Sequence, residues 1–223
     1  MPVPGPGCEA LKILAYMNAQ QAKEFIAKSK VIAILRGDYV GWFARIAEAL
    51  AESGVTAMEI TLNSAQAEQG IAEMRRVLGD AFLVGAGTVL NVTQAKSAVE
   101  AGAQFIVAPN TNYGVLRFCL ERDLCSVPGA YTPTEIMNAV DAGATLIKLF
   151  PAELGYFKNV RAPLDHVSFV TTGGVTPENA KDFIKAGAVG VGMGSALIGP
   201  YVKQDGGLEE MKRRARALMA SLA

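Results

Sequence analysis

The sequence predicts a (β/α)8 TIM barrel, and three observations carry that expectation. A local grammar recurs: a helix end, a glycine, then an apolar strand. It reads ESGVTAMEI, EAGAQFIVA, DAGATLIKL and KAGAVGVGM, around Gly54, Gly102, Gly143 and Gly187. Further apolar runs at Val31–Leu35, Phe82–Ala86, Leu124–Val127 and Val167–Thr171 bring the strands to eight. Strands that alternate with helices imply βαβ units and a parallel sheet, and eight units close into a barrel. Thirdly, the runs are continuously apolar, as strands covered on both faces must be. An open doubly wound sheet is the rival, but no GxGxxG follows the first strand.

Bulk properties bound the rest. The chain has 223 residues, 51% of them hydrophobic, which is enough for one large core. No linker or composition shift interrupts Val31–Pro200, so a single domain is expected over 1–223, with an irregular leader at 1–10. That N-terminus, MPVPGPGCEALK, has Pro and Gly where a signal peptide needs a basic flank and an apolar centre. Basic and acidic residues balance at 21 each, which gives no support for a nucleic-acid or anionic-membrane partner. No apolar run reaches membrane-spanning length. Cys8, Cys119 and Cys125 lack metal or redox spacing, which fits a reducing cytoplasm. With His166 the single histidine, no metal is expected, and no cofactor.

In chain order, Asn18–Ser29 reads as an amphipathic helix with an Asn start, and Val31–Leu35 as the first strand, ending in Arg36-Gly37. Trp42–Ser53 is helical and stops at Gly54, as helices do before a glycine. Val55–Thr61 is the second strand, and Thr145–Phe150 the sixth. Leu208–Leu222 is a final basic helix whose Lys212-Arg213-Arg214 run makes a solvated face.

In a barrel the chemistry sits where strands end and βα loops begin. Lys148 stands in the middle of strand 6, on the opposite face from Ile147 and Leu149. It is either a lysine snorkelling from an edge strand or an amine held among apolar walls where it can attack a carbonyl. Glu59 lies between Met58 and Ile60 on strand 2, so it faces the interior with Lys148. A structural ion pair is the plain reading, and a nucleophile with its acid/base partner the sharper one. Arg36 is a surface arginine or a fork for a carboxylate. Asn63-Ser64 closes strand 2 and could cap the next helix. Gly85-Ala86-Gly87-Thr88 offers close backbone approach to a ligand and a hydroxyl, although Gly-Thr also makes ordinary turns. Pro109 and Pro128 follow strands 4 and 5 as punctuation or as stiff site walls. Phe150-Pro151 follows Lys148. Gly173-Gly174 and Gly194-Ser195 end strands 7 and 8, where such barrels build phosphate sites from N–H groups; the plain reading is tight turns.

Together these parts suggest a metal-free Schiff-base enzyme for a phosphorylated keto acid. Lys148 would form an iminium, Glu59 would move protons, Arg36 and Thr88 would hold a carboxylate, and the two glycine loops the distal phosphate.

From Val31 to Ser195 the chain resembles the KDPG/KHG aldolases, the 2-keto-3-deoxy-6-phosphogluconate and 4-hydroxy-2-oxoglutarate aldolases. The resemblance is carried by AILRG (Ala33–Gly37), EITLNS (Glu59–Ser64), GAGTVL (Gly85–Leu90), KLFPAE (Lys148–Glu153), TTGGV (Thr171–Val175) and GMGS (Gly192–Ser195). It implies Lys148 as the Schiff-base lysine, Glu59 as acid/base and Thr88 in pyruvate binding. It also implies phosphate at the two glycine loops, and a homotrimer. Where many phosphogluconate aldolases read EVTLRT, this chain has Asn63, which leaves the carboxylate to Arg36. LNS and VAPN are similar to the phosphogalactonate branch, so 2-keto-3-deoxy-6-phosphogalactonate stands as the alternative substrate. Both sugar acids would yield pyruvate and glyceraldehyde 3-phosphate. The competing expectations are another phosphate-binding barrel enzyme and a non-catalytic barrel that senses a phosphorylated ligand.

Overall fold

The computed structural model describes residues 17–223. The leader expected at 1–10, and Cys8 within it, lie outside the described residues. The described chain is a parallel barrel of strands with helices outside. The strands are β1 Val31–Leu35, β2 Ala57–Thr61, β3 Leu83–Gly87, β4 Phe105–Val107, β5 Cys125–Val127, β6 Gly129–Ala130, β7 Ile147–Leu149, β8 Phe169–Thr172 and β9 Gly190–Met193. Their order around the sheet is β5-β4-β3-β2-β1-β9-β8-β7-β6.

Nine strands rather than eight arise because a further short strand, β6, follows Pro128 just beyond the fifth expected strand, Leu124–Val127. Proline carries no N–H and interrupts a ladder. The break also closes the ring. Leu146 donates to the Ser126 carbonyl at 3.0 Å, Lys148 to that of Pro128 at 2.9 Å and Phe150 to that of Ala130 at 3.2 Å.

The recurring glycine has one geometric cause. Gly54, Gly102, Gly143 and Gly187 have φ of 86°, 103°, 87° and 101°. The residue after each donates back into the preceding helix: Val55 to Leu50, Ala103 to Ala98, Ala144 to Ala139 and Ala188 to Phe183, at 2.9–3.0 Å. This six-to-one bond over a left-handed residue terminates a helix and leaves the chain aimed along the next strand. Leu124 bonds Cys119 in the same way across Asp123, whose φ is 50°. The motif there carries no glycine because aspartate tolerates this region better than most residues. These bonds also shorten the strands relative to expectation. Val55 and Leu124 are buried, but their N–H groups finish helices instead of joining ladders.

Two apolar layers result. Phe43, Ile60 and Leu149 belong to the layer between strands and outer helices. The barrel interior is a second cluster, and Ala22 and Ile26 of α1 (Ala19–Ser29) belong to it. Their partners include Ile32, Ala57, Leu83 and Phe105, which stand at or near the starts of their strands, so α1 stoppers the N-terminal end of the barrel. Its first turn is fixed by a reciprocal capping box between Asn18 and Gln21. With this end sealed, an opening to the interior is left at the strands' C-terminal ends.

Candidate functional site

Lys148 is 6% exposed and Glu59 1% exposed, and both line a narrow space inside the barrel with Ile32, Ile34, Val107, Val127 and Val170. The alternation read from the sequence holds: Met58, Ile60, Ile147 and Leu149 pack into the outer layer. No ion pair within 4 Å joins the two charges among the described residues, and Glu59 Oε1 has no hydrogen-bond partner there. The plain reading of a structural ion pair therefore gives way to two charged groups that share a chamber without bonding. Burial pushes the Glu59 carboxyl above the ordinary carboxylate range, and the nearby Lys148 and Arg36 charges restrain that rise. The Lys148 ammonium stands 5.2 Å from the centre of the Phe150 ring, which is 40% exposed at the rim.

The glycines of β3 serve the protein's own side chains. A Cβ on Gly85 would meet the Phe105 ring at 2.4 Å, and one on Gly87 would meet Glu59 Oε1 at 2.6 Å. The sequence reading gave these glycines to a ligand; the structure gives their space to Phe105 and to the Glu59 carboxyl. Gly87→Ala is accordingly expected to displace that carboxyl and, with Glu59 in the acid/base role expected from the sequence, to lower kcat at least about tenfold while the fold persists. Steady-state kinetics alongside circular dichroism would check this.

Arg36 and Thr88 meet as expected, with Arg36 Nη2 donating to Thr88 Oγ1 at 3.3 Å. Thr88 has φ 56°, a strained conformation for a β-branched residue, of the kind that gathers at functional sites. The loop bearing Arg36 is held by two hydroxyls, that of Ser64, expected from the sequence to cap a helix, and that of Thr61. Ser64 Oγ accepts from the Gly37 N–H at 3.0 Å and lies 2.9 Å from Thr61 Oγ1, which donates to the Leu35 carbonyl at 3.3 Å. Ser64 thus ties β2 to β1 and does not cap a helix. Helix α3 (Ala67–Leu78) begins after Gln66 with no side-chain cap. Asn63 is exposed and lines none of the cavities around Lys148. Pro109 also lies apart. It borders a neighbouring cavity of about 310 Å³ with Tyr113, Tyr131 and Glu135, across Phe150. Its carbonyl is where a Cβ on Gly129 would collide, at 2.2 Å.

Above Lys148 opens a cavity of about 480 Å³ bordered by Arg36, Tyr39, Phe150, Thr172, Gly173, Gly174, Gly194, Ser195 and Ala196. Gly173 and Gly174 need glycine, with φ of 78° and 85°. Gly194 does not: a Cβ there would find only Ile34, at 3.9 Å. Its missing side chain leaves room in the cavity and makes no turn necessary. The N–H groups of Gly174, Val175, Ser195 and Ala196 donate to no described residue. They form the kind of donor cluster that receives anions. The chain after Ser195 makes a single turn, with Leu197 and Ile198 both bonding the Gly194 carbonyl, so no helix opens there. Glu153, the end of the KLFPAE stretch, is structural. It caps α7 (Leu154–Arg161) by accepting from Gly155 and Tyr156, and those bonds lower its pKa.

Comparison with known proteins agrees with this geometry. The family model for KDPG and KHG aldolase matches residues 22–213. A 2-dehydro-3-deoxy-6-phosphogalactonate aldolase of Escherichia coli (strain K12) is 39% identical over 174 residues, 76% of this chain and 85% of that protein. A 2-dehydro-3-deoxy-phosphogluconate aldolase of Treponema pallidum is 36% identical over 165 residues, 72% and 78% of the two chains. The solved structure of a KDPG aldolase from Legionella pneumophila, with pyruvate captured at low pH as a covalent carbinolamine intermediate, matches with a TM-score of 0.82. It is 25% identical and covers 89% of this chain and 98% of that one.

Fold and likenesses together define a TIM-barrel aldolase, a lyase. The chain belongs to the KDPG and KHG aldolase family. No helix among the described residues is long and apolar enough to cross a membrane.

Proposed function

We propose that the enzyme is a class I aldolase that cleaves 2-keto-3-deoxy-6-phosphogluconate to pyruvate and glyceraldehyde 3-phosphate. One observation carries the reading: an amine and a carboxyl whose pKa burial raises share a chamber without pairing to any described residue, below a cavity bordered by N–H groups that no described residue accepts. The covalent carbinolamine of the Legionella relative supports it.

The steps follow from the chemistry. The Lys148 amine adds to the C2 ketone, and the carbinolamine loses water to leave an iminium. The iminium accepts the electron pair of the C3–C4 bond as it breaks, while Glu59 takes the proton of the C4 hydroxyl. Glyceraldehyde 3-phosphate leaves. Glu59 returns the proton to C3 of the enamine, and water frees pyruvate from Lys148. A carboxyl whose pKa is raised by burial is a stronger base than a solvated carboxylate and can both take and return the proton. Arg36, braced by Thr88, pairs with the substrate carboxylate. The N–H groups of Gly174, Val175, Ser195 and Ala196 receive the phosphate.

A second reading is the phosphogalactonate epimer. It is favoured by the 39% identical Escherichia coli relative and by the LNS and VAPN stretches, which are similar to that branch. Pyruvate release from each purified epimer tests both readings. Faster release from the gluconate epimer is expected, the reverse order selects the galactonate epimer, and no release from either overturns the proposal. Asn63→Arg is expected to change KM for the keto acid while leaving the pyruvate imine in place. An absent imine in that variant, read by borohydride trapping, would count against Arg36 as the carboxylate anchor.

A further inference from the structure

We infer that Tyr39 is a specificity-determining residue whose hydroxyl donates to the distal phosphate of the substrate. This rests on the reading of the 480 Å³ cavity as the site of a phosphorylated ligand.

Tyr39 is 4% exposed and its ring packs into the apolar layer, yet it also lines the cavity beside Ser195, Ile198 and Pro200. A phenol buried to this degree ordinarily finds a partner for its hydroxyl. Here none is found among the described residues: the hydrogen bond of this residue runs from the Trp42 N–H to the Tyr39 carbonyl. Nor is the hydroxyl among the sealed, unbonded side-chain atoms, which are those of Glu59, Gln104 and Thr171. The Tyr39 hydroxyl therefore has no partner among the described residues and is not one of the sealed atoms, and the residue borders this cavity.

Its surroundings suit an anion. Lys203 Nζ stands 5.3 Å from the Tyr39 ring centre, where it adds positive potential, and is steadied by Asp38 at 3.9 Å. The free N–H groups of Ser195 and Ala196 border the same cavity. They are neutral donors, and a phenol O–H adds a further bond that strengthens with the charge on its acceptor. Burial pushes the Tyr39 phenol above its ordinary pKa, so it remains a donor at any pH where the enzyme would work. A phosphate accepts from such a hydroxyl, whereas the neutral hydroxyl of an unphosphorylated substrate gains about half as much. Tyr39 would therefore favour phosphorylated substrates.

Tyr39→Phe keeps the ring and its contact with Lys203 and removes the donor alone. Condensation of pyruvate with glyceraldehyde 3-phosphate and with unphosphorylated glyceraldehyde would be compared in wild type and variant, and inorganic phosphate titrated by calorimetry. Loss of a hydrogen bond to a charged group corresponds to about a tenfold weakening or more. The expected result is at least that loss in KM for glyceraldehyde 3-phosphate and in phosphate affinity, several times larger than any change for glyceraldehyde. Equal losses for both aldehydes would make Tyr39 a structural residue and overturn the assignment, as would unchanged phosphate affinity. If wild type condenses neither aldehyde but its phosphate binding still depends on the hydroxyl, the reaction reading fails and the assignment of Tyr39 stands.

Discussion

Lys148→Ala is expected to lower kcat/KM by on the order of 10⁴-fold or more, because without the amine no iminium forms and the C3–C4 bond has no electron sink. The barrel should stay folded. Lys148 makes no ion pair among the described residues, its backbone N–H bonds the Pro128 carbonyl, and that bond survives in alanine. Glu59 loses one of the two cations that restrain its raised pKa, which favours its uncharged form further. Far-UV circular dichroism and steady-state turnover check the two halves separately. Near-normal turnover in the folded variant would sink the Schiff-base mechanism.

Glu59→Gln should give the second largest effect, a fall in kcat of about 10²–10⁴-fold, the usual contribution of a positioned acid/base group. The pH dependence should change with it. Burial holds the Glu59 carboxyl above its ordinary pKa in the folded state, so the folded protein binds this proton more tightly than the unfolded chain. The stability this contributes is fully present below the unfolded-state pKa and is lost as pH rises through the folded-state value. The amide variant lacks that loss, so its stability relative to wild type should improve as pH rises through that window. Urea unfolding at several pH values would read it. A wild type and variant whose stabilities run parallel across the window would contradict the raised pKa.

Much of the fold is written in local signals. Gly54, Gly102, Gly143 and Gly187 mark helix ends that any reader can find, because few other residues take φ near 90°. Asp123 makes the same turn with no such mark, so one repeat is hidden. The break at Pro128 was visible as a proline. Its consequence, two short strands that close the ring, depends on Lys148 and Leu146 arriving alongside. The role of α1 as a stopper is not local at all, since Ala22 and Ile26 gain meaning only once the strand starts converge.

The candidate site divides along the same line. Lys148 and Glu59 were legible because a lone charge in an apolar strand is conspicuous and the strand period fixes its face. The meeting of Arg36 with Thr88 follows from placing both at strand ends. Asn63 and Pro109 were placed in the site by proximity to strand ends, yet Asn63 points to solvent and Pro109 borders the next cavity. Gly85 and Gly87 look like ligand glycines in sequence, whereas Phe105 and Glu59 occupy their space. Ser64 and Tyr39 left no periodic or charge signal, and only the closed barrel shows what they face.

The most direct test of the central claim is to incubate the wild-type enzyme with pyruvate, reduce with borohydride, and measure intact mass and peptide fragments. A single pyruvate-derived adduct on Lys148 is expected. A folded enzyme that cleaves substrate yet carries no adduct, or carries one on another lysine, would contradict it.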